Sequence, residues 1–550
     1  MITTIQNVRL LVRGLKNPSE IIELKVILFL KSLQNKQMKN LNKFLFLAGT
    51  VILSAACNKD VEERSLPAFE PTNIEANGGS WKTILLAGPA DITIAAPEAV
   101  GSASYQAELA KIVDMQASLS SEDQKAIDHW KSSGIIKWNE LARELVAKYN
   151  IPPEANAGGT YPVPSAANPG AYPNFPFANP PYASRAYAYT SAATYDALVT
   201  CWKYKFQYNR MSASVNDNKV KALETIQTDL PSYPSEDAVI GQLHYRMLKA
   251  FFPLDSVRIM AMATEEKKAK MLSGVCTQSD IAAGEIIANA VADKFLARSK
   301  TDGMGAAVGN PALWKALEDN AVANGMTTPW KSLETPARPM MLPFFGNVKL
   351  WNFNSSQRDS LRPAPPPALG SAEFNKALEE VKSIERTSNN EKWRIAQYWG
   401  DGLSTYTPPG HWNEIACNMI ADNKLSELRT ARTLSLLNMA MQDAGICCWD
   451  TKSYYYYPRP SQMDPSIKTI GTPNFPSFTS GHSTFSGAAA EVLGYIFPAS
   501  KTQFDNMALE ASNSRIYGGI HYRFDCEVGL KCGKSIGSFA VKRGMNDGSN

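Results

Sequence analysis

Three short segments near the carboxyl end of this 550-residue chain contain residue types that bind tetrahedral oxyanions. The segments are Lys452–Pro460 (KSYYYYPRP), Ser480–Ser483 (SGHS) and Ser514–Asp525 (SRIYGGIHYRFD). Together they supply three arginines, one lysine, two histidines, several serines and a glycine pair. Arginine offers a planar fork of N–H donors and lysine a compact charge, so this combination suits phosphate or an analogue of it.

The first two segments are informative mainly in combination. Lys452 and Arg459 can point at one site, although alone such a segment is more typical of aromatic packing with two surface cations. Ser480 and Gly481 lead into a helix of small residues, so backbone N–H groups and the positive helix end would face a bound anion. His482 at that position can act as an acid or base, although alone it is equally consistent with a bystander beside a helix cap.

The third segment places Arg515 six residues before His521, with Gly518 and Gly519 allowing the chain to bend between them. Asp525 follows His521 by one helical turn and can fix the tautomer of the ring through its second nitrogen. One such spacing is common by chance. Three segments in this order within about 75 residues favour a functional site.

The order and spacing resemble the signature of the type-2 phosphatidic acid phosphatase and vanadium-dependent haloperoxidase superfamily, which is K-x6-R-P, P-S-G-H and S-R-x5-H-x3-D. This chain matches with Lys452-x6-Arg459-Pro460, Ser480-Gly481-His482 and Ser514-Arg515-x5-His521-x3-Asp525, and it departs only at Thr479, where the signature has proline. The flanking segments DAGICCWDTK, YWGDG and TPPGHWN resemble the haloperoxidase branch. The resemblance implies an all-α fold of helical bundles, of the vanadium haloperoxidase and acid phosphatase type.

The resemblance also implies roles for individual residues. His521 would bind vanadium axially, or be phosphorylated in a phosphatase, and His482 would be the acid-base group. The residues implied to hold the oxyanion are Lys452, Arg459, Ser480, Gly481 and Arg515, and those implied to be catalytic are His482, His521, Asp525 and Lys452. Around them, Asp401 resembles a carboxylate that pairs with the site arginine, Trp449 and Phe475 match positions lining the halide side, and Ser483 resembles bacterial iodoperoxidase-like members.

Three functions are compatible with this inventory. The favoured one is a vanadium-dependent haloperoxidase-like enzyme that oxidises bromide or iodide with hydrogen peroxide at a vanadate cofactor held by His521. An alternative is an acid phosphatase of the same superfamily, which needs no cofactor and cleaves a phosphate ester through a phosphohistidine at His521. A third is an exported lipoprotein that captures an oxyanion without turnover, although capture does not require His482 or the His521–Asp525 pair.

Charge and the amino-terminal sequence define the expected location. Residues 1–57 carry eight Lys/Arg against two Glu, a local charge of +6 within the net +4 of the whole chain. The remainder therefore has a net charge of about −2, which does not favour a nucleic-acid partner. From Met38 a basic start, an apolar run and Ser-Ala-Ala-Cys57 are typical of a bacterial lipoprotein signal. We expect an exported lipoprotein, periplasmic or anchored at the outer membrane or cell surface, with membrane contact only through a lipid on Cys57.

The remaining sequence predicts four regions: an upstream extension and signal peptide (1–57), a tether (58–101), an amino-terminal helical region (102–345) and a carboxy-terminal helical catalytic domain (346–550). Apolar spacing predicts helices through most of the last two, including one over Val220–Thr228. Proline-rich stretches at 151–183 and 303–367 predict irregular structure. The chemistry is expected where helix ends and loops of the carboxy-terminal half converge.

Overall fold

The computed structural model describes residues 70–154, 176–386 and 389–549. Within these ranges the regular elements are α-helices and short 3-10 helices, without a β-strand, which confirms the predicted all-α class. The described residues belong to one compact unit, Lys59–Asn550, and the boundary near residue 345 stays a prediction. The proposed signal peptide and Cys57 lie outside the described residues.

The helices are numbered here in chain order. Those of the first half are α1 Ala103–Ala117, α2 Ser121–Trp130, α3 Gly134–Tyr149, α4 Pro180–Tyr208, α5 Ala213–Asn216, α6 Glu236–Phe251, α7 Ser256–Leu272, α8 Gln278–Lys300 and α9 Pro311–Ala323. Those of the second half are α10 Ser355–Leu361, α11 Ala372–Arg386, α12 Asn390–Tyr398, α13 Thr407–Asp422, α14 Glu427–Tyr455, α15 Pro460–Met463, α16 Gly481–Ile496, α17 Lys501–Tyr517 and α18 Arg523–Gly544. Short 3-10 helices lie at Gly78–Ser80, Pro89–Asp91, Pro253–Asp255, Met304–Ala306, Phe345–Asn347 and Pro498–Ser500.

Two 29-residue helices, α4 and α14, pack along each other at the centre of the fold. The Asn179 side chain caps α4 at its start and the Ser426 side chain caps α14, each accepting a backbone N–H of the first turn. Both helices are buried on nearly all faces, as expected of helices inside a large hydrophobic core. In the part of the chain described, no helix is long and apolar enough to cross a membrane.

Close helix contacts position the carboxy-terminal half of the core. Helix α16 packs on α14, and its other face packs on α18. At Gly533 an added methyl group would collide with the Thr484 carbonyl oxygen, so glycine permits the close approach of α16 and α18. This arrangement places the first turns of α16 and α18 side by side.

Residues 70–101, within the stretch interpreted as a tether, contact the helical core without forming an α-helix themselves. The Asp196 carboxylate of α4 accepts backbone N–H groups from Ile84, Leu85 and Leu86 at 2.6–3.0 Å. The Trp81 side chain is fully buried. This segment is therefore held to the body by polar and apolar contacts.

Two expectations about local structure are wrong. Residues 220–228 form no helix, because the Gln116 side chain takes both backbone groups of Lys221 and the Ser273 carbonyl accepts the Leu223 N–H. The stretch 303–367 was expected to be irregular but contains α9 and α10. Helix α9 begins with proline at its first position after an Asn310 cap, an arrangement that favours helix initiation.

The seven cysteines of the described part carry free thiols, of which only Cys532 is partly exposed. Burial raises the pKa of Cys417 and Cys526 to about 12 and that of Cys532 to about 11. These thiols are therefore almost entirely protonated at neutral pH.

Candidate active site

The three sequence segments meet where four helices end or begin. Lys452 lies in the last turn of α14 and Arg515 in the last turn of α17. His482 lies in the first turn of α16, and His521 lies two residues before the start of α18. The structure therefore brings the predicted cations and histidines to one end of the helical bundle, as expected from the sequence.

Lys452 is fully buried, and its ammonium group donates hydrogen bonds to the backbone. It donates to the carbonyl oxygens of Pro476, Ser477 and Thr479 at 2.6–2.9 Å. Burial, with a further contribution from the nearby Arg459 charge, lowers the pKa of Lys452 to about 7. An anion bound beside this amine would favour its charged form.

Arg459 is also fully buried, and one of its N–H groups is unused. Its Nε donates to the Phe475 carbonyl at 3.0 Å and its Nη1 to the Ile520 carbonyl at 2.7 Å. Nη2 has no hydrogen-bond partner. Burial lowers the pKa of Arg459 to about 10, so the guanidinium remains charged at neutral pH but lacks a carboxylate partner. The free Nη2 is a donor available to an oxyanion.

His521 is held in one tautomer by its neighbours on both ring nitrogens. Its Nδ1 lies 2.9 Å from Asp525 Oδ2, and its Nε2 lies 3.1 Å from Arg459 Nη1. Because a guanidinium only donates, Nε2 must accept and the proton must reside on Nδ1. Burial, with a further contribution from Arg459, holds the pKa of His521 well below its usual range. The ring is therefore neutral, with the Nε2 lone pair facing the cations.

Ser477 is a member of this cluster that the sequence analysis missed. Its hydroxyl donates to Asp525 Oδ2 at 2.5 Å and lies 3.4 Å from His521 Nδ1. Burial raises the pKa of Asp525 to about 6, while the hydrogen bond from Ser477 opposes that rise. Ser477 lies three residues before the SGHS segment, in the loop whose carbonyls also bind Lys452, and that proximity was the available sequence indication.

The start of α16 offers the expected backbone donors. Ser480 caps the helix through its hydroxyl, which accepts the Ser483 N–H at 3.3 Å. Gly481 has open space where a Cβ would lie, its nearest neighbour being a Trp449 ring carbon at 3.9 Å. The Ser483 hydroxyl lies 2.9 Å from that of Ser512, so it contacts the neighbouring helix. The positive end of α16 and the room beside Gly481 are both features that favour a bound anion.

His482 and Arg515 lie at the side of the site formed by α16 and α17. The Nε2 atom of His482 is buried and has no hydrogen-bond partner. Burial, with a further contribution from the Arg515 charge, holds the pKa of His482 well below its usual range. Arg515 donates to Ser514 Oγ at 2.8 Å and to the Ala396 carbonyl at 3.0 Å, and burial lowers its pKa to about 10. A neutral His482 can accept a proton at Nε2.

Asp401 lies between two histidines. His411 Nδ1 contacts both carboxylate oxygens, at 3.0 and 3.2 Å, while His482 Nε2 lies 4.0 Å from Oδ2. The negative charge of Asp401 also favours the charged form of Arg515 and so acts against the lowering of its pKa by burial. The sequence analysis did not predict the contact between His411 and Asp401.

An aromatic wall closes another side. The ring centroids of Trp449 and Phe475 lie 5.0 Å apart. The Phe475 ring also lies 5.0 Å from both Lys452 Nζ and Arg459 Cζ, within the range of cation–π contacts. These rings exclude water from the cations and strengthen the electrostatic interactions there.

The donor set fits a tetrahedral oxyanion. The buried atoms Arg459 Nη2 and His482 Nε2 lack hydrogen-bond partners, as does Asp525 Oδ1, and Gly481 leaves open space beside the helix end. Vanadate and phosphate share charge and shape, so these residues suit either. His521 Nε2 would be the atom that holds vanadium or attacks phosphorus.

Comparison with known proteins agrees with this geometry. Residues 433–546 match the model of the PAP2 superfamily. Vanadium chloroperoxidase of Curvularia inaequalis is 26% identical over 235 residues, a match covering 34% of this chain and 38% of that protein. The crystal structure of the first bacterial vanadium-dependent iodoperoxidase superposes with a TM-score of 0.55 at 23% identity, covering 74% of this chain and 96% of that one.

The family match includes all three segments that form the site, and the structural match extends over most of the described helices. The chain spans well under half of the curated relative that it matches. Residues 433–546 are thus similar to the PAP2 superfamily, and the chain has the all-α fold of the vanadium-dependent iodoperoxidase.

Proposed function

We propose that the protein is a vanadium-dependent haloperoxidase-like enzyme that oxidises bromide or iodide with hydrogen peroxide. The observation that carries the proposal is the set of buried cations, Lys452, Arg459 and Arg515, gathered around a histidine whose Nε2 lone pair faces them. The polar groups that these cations contact include backbone carbonyls, a serine hydroxyl and the His521 ring. Such a cluster is stabilised when a multiply charged anion binds.

Each residue has a defined part in this proposal. His521 would hold vanadate through Nε2, with Asp525 and Ser477 keeping the proton on Nδ1. Bound vanadate supplies a Lewis-acidic centre that activates hydrogen peroxide toward halide. Lys452, Arg459 and Arg515 would balance the negative charge, and His482 would take up and return a proton at Nε2.

The aromatic wall and the relatives support halide oxidation over ester hydrolysis. Trp449 and Phe475 present apolar ring surface beside the cations, which suits a weakly hydrated halide ion. The relatives named as a chloroperoxidase and an iodoperoxidase are consistent with the same chemistry. We further propose that Cys57 carries a lipid anchor and that the protein is exported.

A phosphatase is the second candidate, because the family match is to the PAP2 superfamily. In that reaction His521 Nε2 would attack phosphorus and displace the alcohol oxygen, to which His482 would give a proton. Water would then cleave the phosphohistidine. The cations would stabilise the equatorial oxygens in both steps.

The test compares the two reactions in one preparation. Purified full-length protein is freed of bound metal with a chelator and assayed for bromide and iodide oxidation with hydrogen peroxide, with and without added orthovanadate. We expect oxidation only with vanadate, and its fall to background in His521→Ala. His129→Ala is the control, because His129 lies in α2 against Trp130, and it should keep full activity.

Hydrolysis of an aryl phosphate without vanadate, inhibited when vanadate is added, would instead establish the phosphatase. Vanadate binding with neither reaction would establish a non-catalytic oxyanion binder. Either result would overturn the peroxidase proposal.

A further inference from the structure

Two carboxylates of the site, those of Asp525 and Asp401, lie near histidine rings at different distances. Asp525 contacts His521 directly, with 2.9 Å between Oδ2 and Nδ1. Asp401 stays 4.0 Å from His482 Nε2, a distance too long for a hydrogen bond, and Nε2 has no other partner. The carboxylate is instead bound by His411, whose Nδ1 contacts both of its oxygens.

The His411 ring is fixed in place by aromatic contacts. It stacks on Trp399 with 4.4 Å between ring centroids and an interplanar angle of 24°. Tyr398 packs edge-on against it at 4.9 Å, and Tyr406 does so at 5.9 Å. The ring is 2% exposed, so it has little freedom to follow a moving carboxylate. His411 is therefore a fixed partner that helps to hold the Asp401 carboxylate in place.

The placement matters because a direct contact would occupy His482 Nε2. If Asp401 moved closer, it would hold a proton on Nε2 in the way that Asp525 holds one on His521 Nδ1. Nε2 would then be directed to a carboxylate and not to the oxyanion site. We propose that His411 is a positioning residue that withholds Asp401 from His482 and so leaves Nε2 of His482 available to the oxyanion.

This inference deepens the proposed function, since it rests on His482 being the acid-base group. The charged and titratable groups that act on His482 are Arg515 from α17, Asp401 from the loop before α13, His411 from α13 itself and His521 before α18. Arg515 and His411 disfavour the charged imidazole, and Asp401 favours it. Releasing Asp401 from His411 would therefore make His482 easier to protonate.

Histidine-selective NMR provides a test that does not depend on activity. The chain has five histidines, so each ring resonance can be assigned from single variants of the ligand-free full-length protein. His411→Phe keeps the ring that stacks on Trp399 but removes the N–H that binds Asp401. His411→Asn keeps an N–H near the position of Nδ1 but removes the ring.

We expect His482 to titrate at least one pH unit higher in His411→Phe than in the wild type, and to stay near the wild-type midpoint in His411→Asn. His244→Phe is a matched control, because His244 also stacks on a tryptophan, Trp138 at 5.3 Å, and should leave His482 unchanged. Far-UV circular dichroism verifies that each variant is folded.

An unchanged His482 midpoint in folded His411→Phe would overturn the inference, as would equal shifts in the Phe and Asn variants. The titration uses neither vanadate nor halide. The expected shift together with an absence of halide oxidation would therefore reject the proposed function alone.

Discussion

Buried cations of the first half are bound differently from those at the candidate site in the second half. In the first half each has a carboxylate partner: Arg210 lies 2.7 Å from Asp280 and Lys205 lies 2.5 Å from Glu236. At the site in the second half, the Lys452 ammonium group contacts three carbonyl oxygens. In the first arrangement each positive charge is balanced by a carboxylate, whereas in the second the positive charge lacks a balancing anion.

The pKa values follow this difference. Burial alone would lower the pKa of Lys205, but the adjacent Glu236 raises it above its ordinary value. Lys452 is equally buried, and its pKa falls to about 7. A buried charge without a partner destabilises a protein, so this arrangement is expected where a ligand supplies the missing charge. The comparison separates cations that support the fold from cations that prepare a binding site.

Breaking a pair in the first half should give the largest effect on stability. Arg210→Met leaves the Asp280 carboxylate buried without its guanidinium and should lower the free energy of unfolding by about 3–5 kcal/mol. Urea unfolding of wild type and variant measures this loss. Phosphate affinity of the folded variant should stay unchanged, because Arg210 does not contribute to the site.

The control for that variant is Lys315→Met, which breaks an exposed ion pair with Asp319 and should barely change the unfolding curve. If Arg210→Met were no more harmful than this control, the contrast between the paired cations and the site cations would not hold.

The pH dependence of anion binding should give the next largest effect. With a pKa of about 7 in the ligand-free protein, Lys452 is charged below pH 7 and must take up a proton to bind an anion above it. Affinity for inorganic phosphate should therefore fall as pH rises through 7, by up to about tenfold per pH unit beyond the effect of phosphate's own ionisation. Because this pKa is below that of an unfolded lysine, the unfolding free energy of the ligand-free protein should rise as pH increases above 7.

Lys452→Gln keeps a neutral donor toward the carbonyl oxygens and is the reference for this titration. Calorimetry in two buffers of different ionisation enthalpy should show proton uptake in the wild type that is missing in the variant. Equal proton uptake in both proteins would assign the titration to another group.

A methyl group at the helix end should give the smallest effect. Gly481→Ala has room for its Cβ, so the fold should be retained, while phosphate binding weakens by less than about tenfold because the added group narrows the space beside the α16 amides. Gly533→Ala is the converse case, since its methyl group would collide with the Thr484 carbonyl oxygen and should lower stability. Unfolding curves and phosphate titrations of both variants measure the difference, and unchanged phosphate affinity in Gly481→Ala would place the anion elsewhere.

The fold class and the main residues of the candidate site could be predicted from the sequence. Each motif is a continuous stretch of chain, so the spacing of its residues can be read directly. It was insufficient where a contact joins distant segments. The pairing of His411 with Asp401 depends on a loop in which Asp401 has a positive φ of 43°, and no local pattern indicates it. The predicted helix over Val220–Thr228 failed because the Gln116 side chain, more than a hundred residues earlier, competes for its backbone groups.

The burial of the cysteine thiols bears on how quickly the proposed enzyme would be oxidised during catalysis. Hypohalous acids attack sulfur, and the anionic form of cysteine is the most readily oxidised. With six of the seven described cysteines buried and the pKa of Cys532 raised to about 11, little cysteine thiolate meets a diffusing oxidant. The same packing that stabilises the helices would therefore protect the cysteines of the proposed catalyst from its own product.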